Sequence, residues 1–116
     1  MRAKPNKTPV QIPLRIMKKH LHDIVKGVQK TEVRQVNKFY IDLFMFTDGK
    51  GNVLDFRHIT ELRLYVGNAK DGEYAIVEVL EYGNIEYIDN IPDGYEKGDY
   101  DFYFDIGKII KTNVSL

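Results

Sequence analysis

The sequence predicts a small α+β domain, mainly β: a mostly antiparallel barrel of about six strands with one or two short helices. Three observations lead there. Several stretches alternate apolar and polar residues, as half-buried strands do, and turn residues separate them. One stretch, Met17 to Val28, switches to helical spacing. The chain has 116 residues, room for one domain and little more.

Met1 to Pro9 reads as a flexible basic tail, with Pro5, Pro9 and scattered lysines, ahead of a single domain over 10–116. Val10 to Leu14 alternates and forms the first strand, with Pro13 confining it to an edge or an end. Met17, Leu21, Ile24, Val25 and Val28 make the stripe of a short helix, which Gly27 is placed to end. Thr31 to Val36 follows as a strand. Asn37 can cap a helical turn over Phe39 to Phe46, an almost wholly apolar segment whose periodicity does not by itself separate helix from strand. Asp48 to Asn52 is a turn. Glu61 to Val66 alternates cleanly, and Asn68 to Gly72 turns the chain again. Tyr74 to Tyr82 is the strongest strand, rich in valine, isoleucine and tyrosine. Gly83-Asn84 allows a reversal into Ile85 to Ile88. Loops are marked at Pro92 to Gly94 and at Gly98. Tyr100 to Ile106 is the closing strand, continued by Ile109-Ile110 after a kink at Gly107.

The charge is zero overall but unevenly spread. Before Phe39 the lysines and arginines are Arg2, Lys4, Lys7, Arg15, Lys18, Lys19, Lys26, Lys30, Arg34 and Lys38, and the only acids are Asp23 and Glu32. Acids dominate afterwards. Such asymmetry points to a polyanion partner for the basic part, or to two parts that face and cancel each other. With no cysteine, disulfides and thiolate metal sites are excluded, and a reducing compartment fits. No apolar run reaches membrane-span length and no apolar signal core is present, so a cytoplasmic protein is expected.

The segment Gly27 to Arg34 concentrates the polar chemistry. In an extended strand Lys30, Glu32 and Arg34 share one face, with Thr31 and Val33 opposite. Long polar side chains on one strand face either solvate an edge or make a charged floor for a base, a sugar or a phosphate. Elsewhere the signals are ordinary. His20, His22 and His58 lack metal-ligand spacing, so no metal and no cofactor are expected. The Gly49-x-Gly51 pair lacks the lysine and hydroxyl of a phosphate loop. The only serine is Ser115, near the chain end.

Ile24-Val25 followed by Gly27 to Arg34 resembles the signature of the ASCH family, whose barrel is related to the PUA domain. The usual Gly-x-Lys-x-x-Glu-x-Arg is matched by Gly27, Glu32 and Arg34. Gln29 stands at the family lysine, and Lys30 follows one place later. Ile12-Pro13-Leu14 resembles the opening strand, Tyr65 to Asn68 a segment of small members, and Tyr103 to Ile110 the closing strand. The resemblance implies binding of RNA or a modified nucleoside in a cleft formed by Gln29, Lys30, Glu32, Arg34, Tyr40, Tyr65 and Asn68, without catalytic residues. Two other readings stay open: a small amidohydrolase acting on acylated cytidine, as in one clade, or a ligand-free protein-interaction module using the acidic C-terminal strands. Gln29 has no useful basicity for the hydrolase. Glu32, beside Arg34, is expected to have a low pKa, which also weakens that reading.

Overall fold

The computed structural model describes residues 8–116, so residues 1–7 of the expected tail lie outside the described residues. The chain runs β1 (Val10–Arg15), α1 (Lys18–Val25), β2 (Thr31–Gln35), α2 (Lys38–Phe44), β3 (Met45–Thr47), β4 (Val53–Phe56), β5 (Ile59–Tyr65), β6 (Tyr74–Glu86) and β7 (Tyr100–Thr112). It is a mainly β, α+β fold. Five strands make one curled sheet in the order β1-β5-β6-β7-β2, a half-barrel, and β3 with β4 forms a separate hairpin. β1 runs parallel to β5, and the other pairings are antiparallel.

Alternation decides the core. Ile12 and Leu14 of β1, Leu62 and Leu64 of β5, Ala75 and Val77 of β6, and Phe102, Phe104 and Ile106 of β7 all point inward and are buried. Leu21 and Ile24 bring the apolar stripe of α1 onto them. Phe44, at the end of α2, sits edge-on to Phe102 and Phe104 with ring centroids 5.1 and 4.8 Å away. At about 25 cal/mol per Å², buried side chains of this size hold helices too short to persist alone.

Local signals explain the helix ends. α1 stops where Gly27 adopts φ +79°. The Gly27 N–H donates to Ile24 O and the Val28 N–H to Asp23 O, the paired bonds of a Schellman turn. The Asn37 side chain accepts from the Tyr40 N–H and caps α2, as expected. The apolar run after Asn37 is divided, however. It is helical to Phe44 and then extended, because Met45–Thr47 pairs with Val53–Phe56 across the Asp48 turn.

One expectation is corrected. Gly83-Asn84 does not reverse the chain: β6 runs unbroken to Glu86, with Gly83 opposite Tyr103 and Asn84 opposite Phe102. The glycine provides room rather than a turn. A Cβ there would lie 3.3 Å from Cε1 of the Tyr103 ring. The chain turns back only through the longer connection 87–99, tied down by Asp101. That carboxylate is buried and accepts from the Tyr87 and Tyr95 hydroxyls at 2.7 Å each. The bond to Asp101 pushes the Tyr87 phenol up to about 12.

Candidate functional site

The site is built where the two edge strands of the half-barrel come together. On β2, Glu32 and Arg34 share a face, as two residues two apart must. Arg34 Nε donates to Glu32 Oε1 at 3.2 Å, and the two side chains are only 13% and 10% exposed. Such burial makes this a desolvated pair rather than a surface one. Arg34 Nη1 donates to the Tyr40 hydroxyl at 3.0 Å, and Nη2 donates to the Arg15 carbonyl at 2.8 Å. Arg15 ends β1 and Arg34 lies on β2, the opposite ends of the strand order. One guanidinium therefore clasps the two edges of the curled sheet.

Behind the pair stands Gln29. Its amide nitrogen donates to Glu32 Oε2 at 3.3 Å and to Thr31 O at 3.1 Å. Its oxygen lies 3.1 Å from His20 Nδ1, which must therefore be the protonated ring nitrogen. Both carboxylate oxygens of Glu32 are thus engaged. Burial nevertheless raises the Glu32 pKa above its ordinary value, outweighing the pull of Arg34. This corrects the expectation of a low pKa. The sequence shows the neighbouring charge but not the burial that outweighs it.

In front of the pair is a cleft of about 300 Å³ lined by Pro13, Leu14, Arg15, Arg34, Phe39, Tyr40 and Tyr65. The guanidinium carbons of Arg15 and Arg34 lie 6.0 Å from the Tyr65 centroid and 5.7 Å from the Tyr40 centroid. Arg15 is exposed and makes no ion pair with a carboxylate among the described residues. Arginine carries five N–H donors. Three of those on Arg34 are engaged, leaving one on each terminal nitrogen for whatever enters. The cleft is of a size and chemistry to take a planar polar group between aromatic walls, with an anionic substituent on the arginines.

Of the residues selected from the sequence, the structure brings together Gln29, Glu32, Arg34, Tyr40 and Tyr65. Lys30 does not join them. It is exposed, precedes β2 and is absent from the cleft lining. Asn68 does not join them either. It lies exposed in the turn after β5, where its side-chain oxygen accepts from the Lys70 N–H at 2.7 Å. Arg15 and Phe39 were missed. The signal for Arg15 was its polar place in the alternation that buries Leu14 and Ile16. For Phe39 it was a large apolar residue two places after a cap, off the buried face of α2.

Several remaining polar side chains are paired with one another: Lys19 with Asp23, Lys38 with Asp42, and Lys18 and His22 with Glu73. The described residues contain no cluster of three or more His, Asp or Glu arranged for a metal. No helix among them is long and apolar enough to cross a membrane. No family model, curated protein or solved structure matches the chain.

Proposed function

We propose that the protein is an ASCH-type, PUA-like domain that binds RNA or a modified nucleoside in the cleft between β1, β2 and α2. The observation that carries this reading is the pairing of two arginines with two tyrosine rings in a cleft of about 300 Å³. Arg15 supplies an uncompensated positive charge for a phosphate. Arg34, held rigid by Glu32 and Tyr40, offers its two remaining donors to a base edge or a phosphate oxygen. Tyr65 provides a face on which a base can stack, worth roughly 1–3 kcal/mol where the contact forms, while Tyr40, stacked on Phe44, holds Arg34 through its hydroxyl. Gln29 and Glu32 lie behind the arginine and orient it. The test is titration of single-stranded RNA and of nucleoside monophosphates at several salt concentrations. Affinity for the RNA is expected to fall steeply with salt, and Arg15→Ala to weaken both ligands while Lys108→Ala leaves them unchanged. Binding indifferent to salt and to Arg15 rejects the proposal.

One observation favours the amidohydrolase as a second reading: burial gives Glu32 a raised pKa, which suits a general acid or base better than an ordinary carboxylate does. Against it, Arg34 and Gln29 occupy both oxygens. Release of cytidine from acylated cytidines, abolished in Glu32→Gln, would establish this second reading.

A further inference from the structure

A second and larger groove lies on the other side of α2. It has a volume of about 660 Å³ and opens between the helix and the β3–β4 hairpin. The helix separates the two spaces by its own periodicity. Lys38, Ile41, Asp42 and Met45, at helical spacing, face the larger groove, while Phe39 and Tyr40 face the cleft. The groove repeats the chemistry of the cleft. The guanidinium carbon of Arg57 stands 4.9 Å from the centroid of the Phe46 ring, an arginine on an aromatic face as at Arg15–Tyr65 and Arg34–Tyr40. Phe39, 67% exposed and edge-on to Tyr40 with ring centroids 5.1 Å apart, adds an exposed aromatic ring on the cleft side of α2.

Charge points the same way. The two spaces together are lined by Arg15, Arg34, Lys38 and Arg57; Asp42 pairs with Lys38 at 2.8 Å and Glu32 with Arg34 at 3.2 Å, which leaves Arg15 and Arg57 without a carboxylate partner among the described residues. The pocket beside the 87–99 connection has the opposite character: Asp99 is its only ionised lining group, next to Tyr95 and Tyr100. In a chain of zero net charge, a polyanion is therefore drawn to the two sides of α2 and away from the 87–99 connection.

We infer that the ligand is a single-stranded oligonucleotide that crosses α2, with one base in the Arg15–Tyr65 cleft and a later one on the Arg57–Phe46 platform. A helix is about 10–12 Å across with its side chains, a span of about three or four stacked nucleotides at 3.4 Å each. Alternating aromatic and cationic contacts suit stacking and backbone neutralisation without base-specific readout. This inference rests on the nucleic-acid reading of the cleft and extends it to a strand and to a second subsite.

The test compares uridine monophosphate with a labelled oligouridylate of about eight nucleotides, as RNA and as its deoxy counterpart, by fluorescence anisotropy and competition. The variants are Lys38→Ala and Arg57→Ala, with Arg57→Lys to keep the charge and remove the planar stack. Circular dichroism confirms that each variant is folded. The oligomer is expected to bind at least about tenfold tighter than the monophosphate. Arg57→Ala is expected to remove most of that advantage, and Arg57→Lys and Lys38→Ala part of it, with monophosphate binding unchanged. A thiouridine-containing oligomer is expected to crosslink to the β3–β4 hairpin. Equal affinity for RNA and DNA supports backbone and stacking recognition; a strong preference for DNA overturns RNA as the ligand of the cleft while the strand-crossing inference stands or falls by Arg57. An oligomer that binds no better than the monophosphate, or binds better but ignores Arg57, overturns the second subsite and leaves the cleft standing. Failure of both ligands to bind removes the cleft reading as well.

Discussion

At the residue scale, the contrast between Lys30 and Glu32 separates a solvated charge from a structural one. They are two apart and were expected on one strand face, yet Lys30 is exposed and Glu32 is 8% exposed. Glu32→Ala strands the Arg34 guanidinium, which is itself 13% exposed, and is expected to cost about 3 kcal/mol. Lys30→Ala is expected to stay within about 0.5 kcal/mol. Urea unfolding of the two variants checks the difference, and equal small losses would show the pair to be idle. The raised pKa of Glu32 adds a pH dependence of definite sign. A carboxyl that holds its proton more tightly when folded favours the native state most below its unfolded value of 4.5, and that contribution is lost as pH rises through the native value. Glu32→Gln does not titrate and keeps an oxygen for Arg34 Nε. The difference in stability between the wild type and Glu32→Gln is therefore expected to move in favour of the variant from about pH 4 to about pH 7. Parallel stability curves across that range would contradict it.

At the element scale, what the sequence disclosed depended on whether the deciding force was local. The Asn37 cap, the Gly27 stop and the alternation of β5 and of β7 from Phe102 to Ile106 are local, and each is found where expected, whereas Tyr100 is exposed and Asp101 buried at the start of β7. The β3–β4 hairpin was not legible, because Met45 to Thr47 continues an apolar run and only pairing with Val53–Phe56 makes it extended. Gly83 was misread for a related reason. A glycine signals both a turn and a close approach, and the Tyr103 ring that decides between them is twenty residues away in sequence. Gly72 shows the sterically demanding case in the other connection to β6. Its N–H donates to Asn68 O, and an added Cβ would run into the backbone carbonyl of Val66. A backbone carbonyl just past β5, in a residue whose own N–H is held by Glu73 O, cannot move aside as a side chain can. Gly72→Ala is therefore expected to cost about 2 kcal/mol or more, against about 1 kcal/mol for Gly27→Ala, whose surroundings are open. Thermal midpoints in the reverse order would show that the turn yields easily.

At the scale of the whole molecule, the decisive feature is that a five-stranded sheet curls far enough for β2 to reach β1 through a side chain. The Gly27 to Arg34 segment was legible as a polar concentration. Its partner was not, because the group it meets is the Arg15 carbonyl, and a backbone carbonyl leaves no mark in a sequence. This geometry divides two roles between two arginines. The clasp uses the backbone of Arg15 and the side chain of Arg34, whereas the cleft uses both side chains. Arg15→Ala leaves the carbonyl in place, so stability is expected to hold within about 0.5 kcal/mol while affinity for the proposed nucleotide ligand falls. Arg34→Ala removes the clasp, the bond to Tyr40 and the partner of buried Glu32 together, and is expected to cost about 3 kcal/mol as well as the affinity. Arg34→Lys keeps the charge, but an ammonium is a compact point charge without the planar fork that serves Glu32, Tyr40 and the Arg15 carbonyl at once, so most of the loss is expected to persist. Hydrogen exchange adds the spatial readout. With the clasp gone, the amides of β1 and β2 are expected to lose protection while those of β6, in the middle of the sheet, keep it. Uniform loss across all strands would mean that Arg34 supports the core in general, and no loss at all would mean that the two edges hold without it.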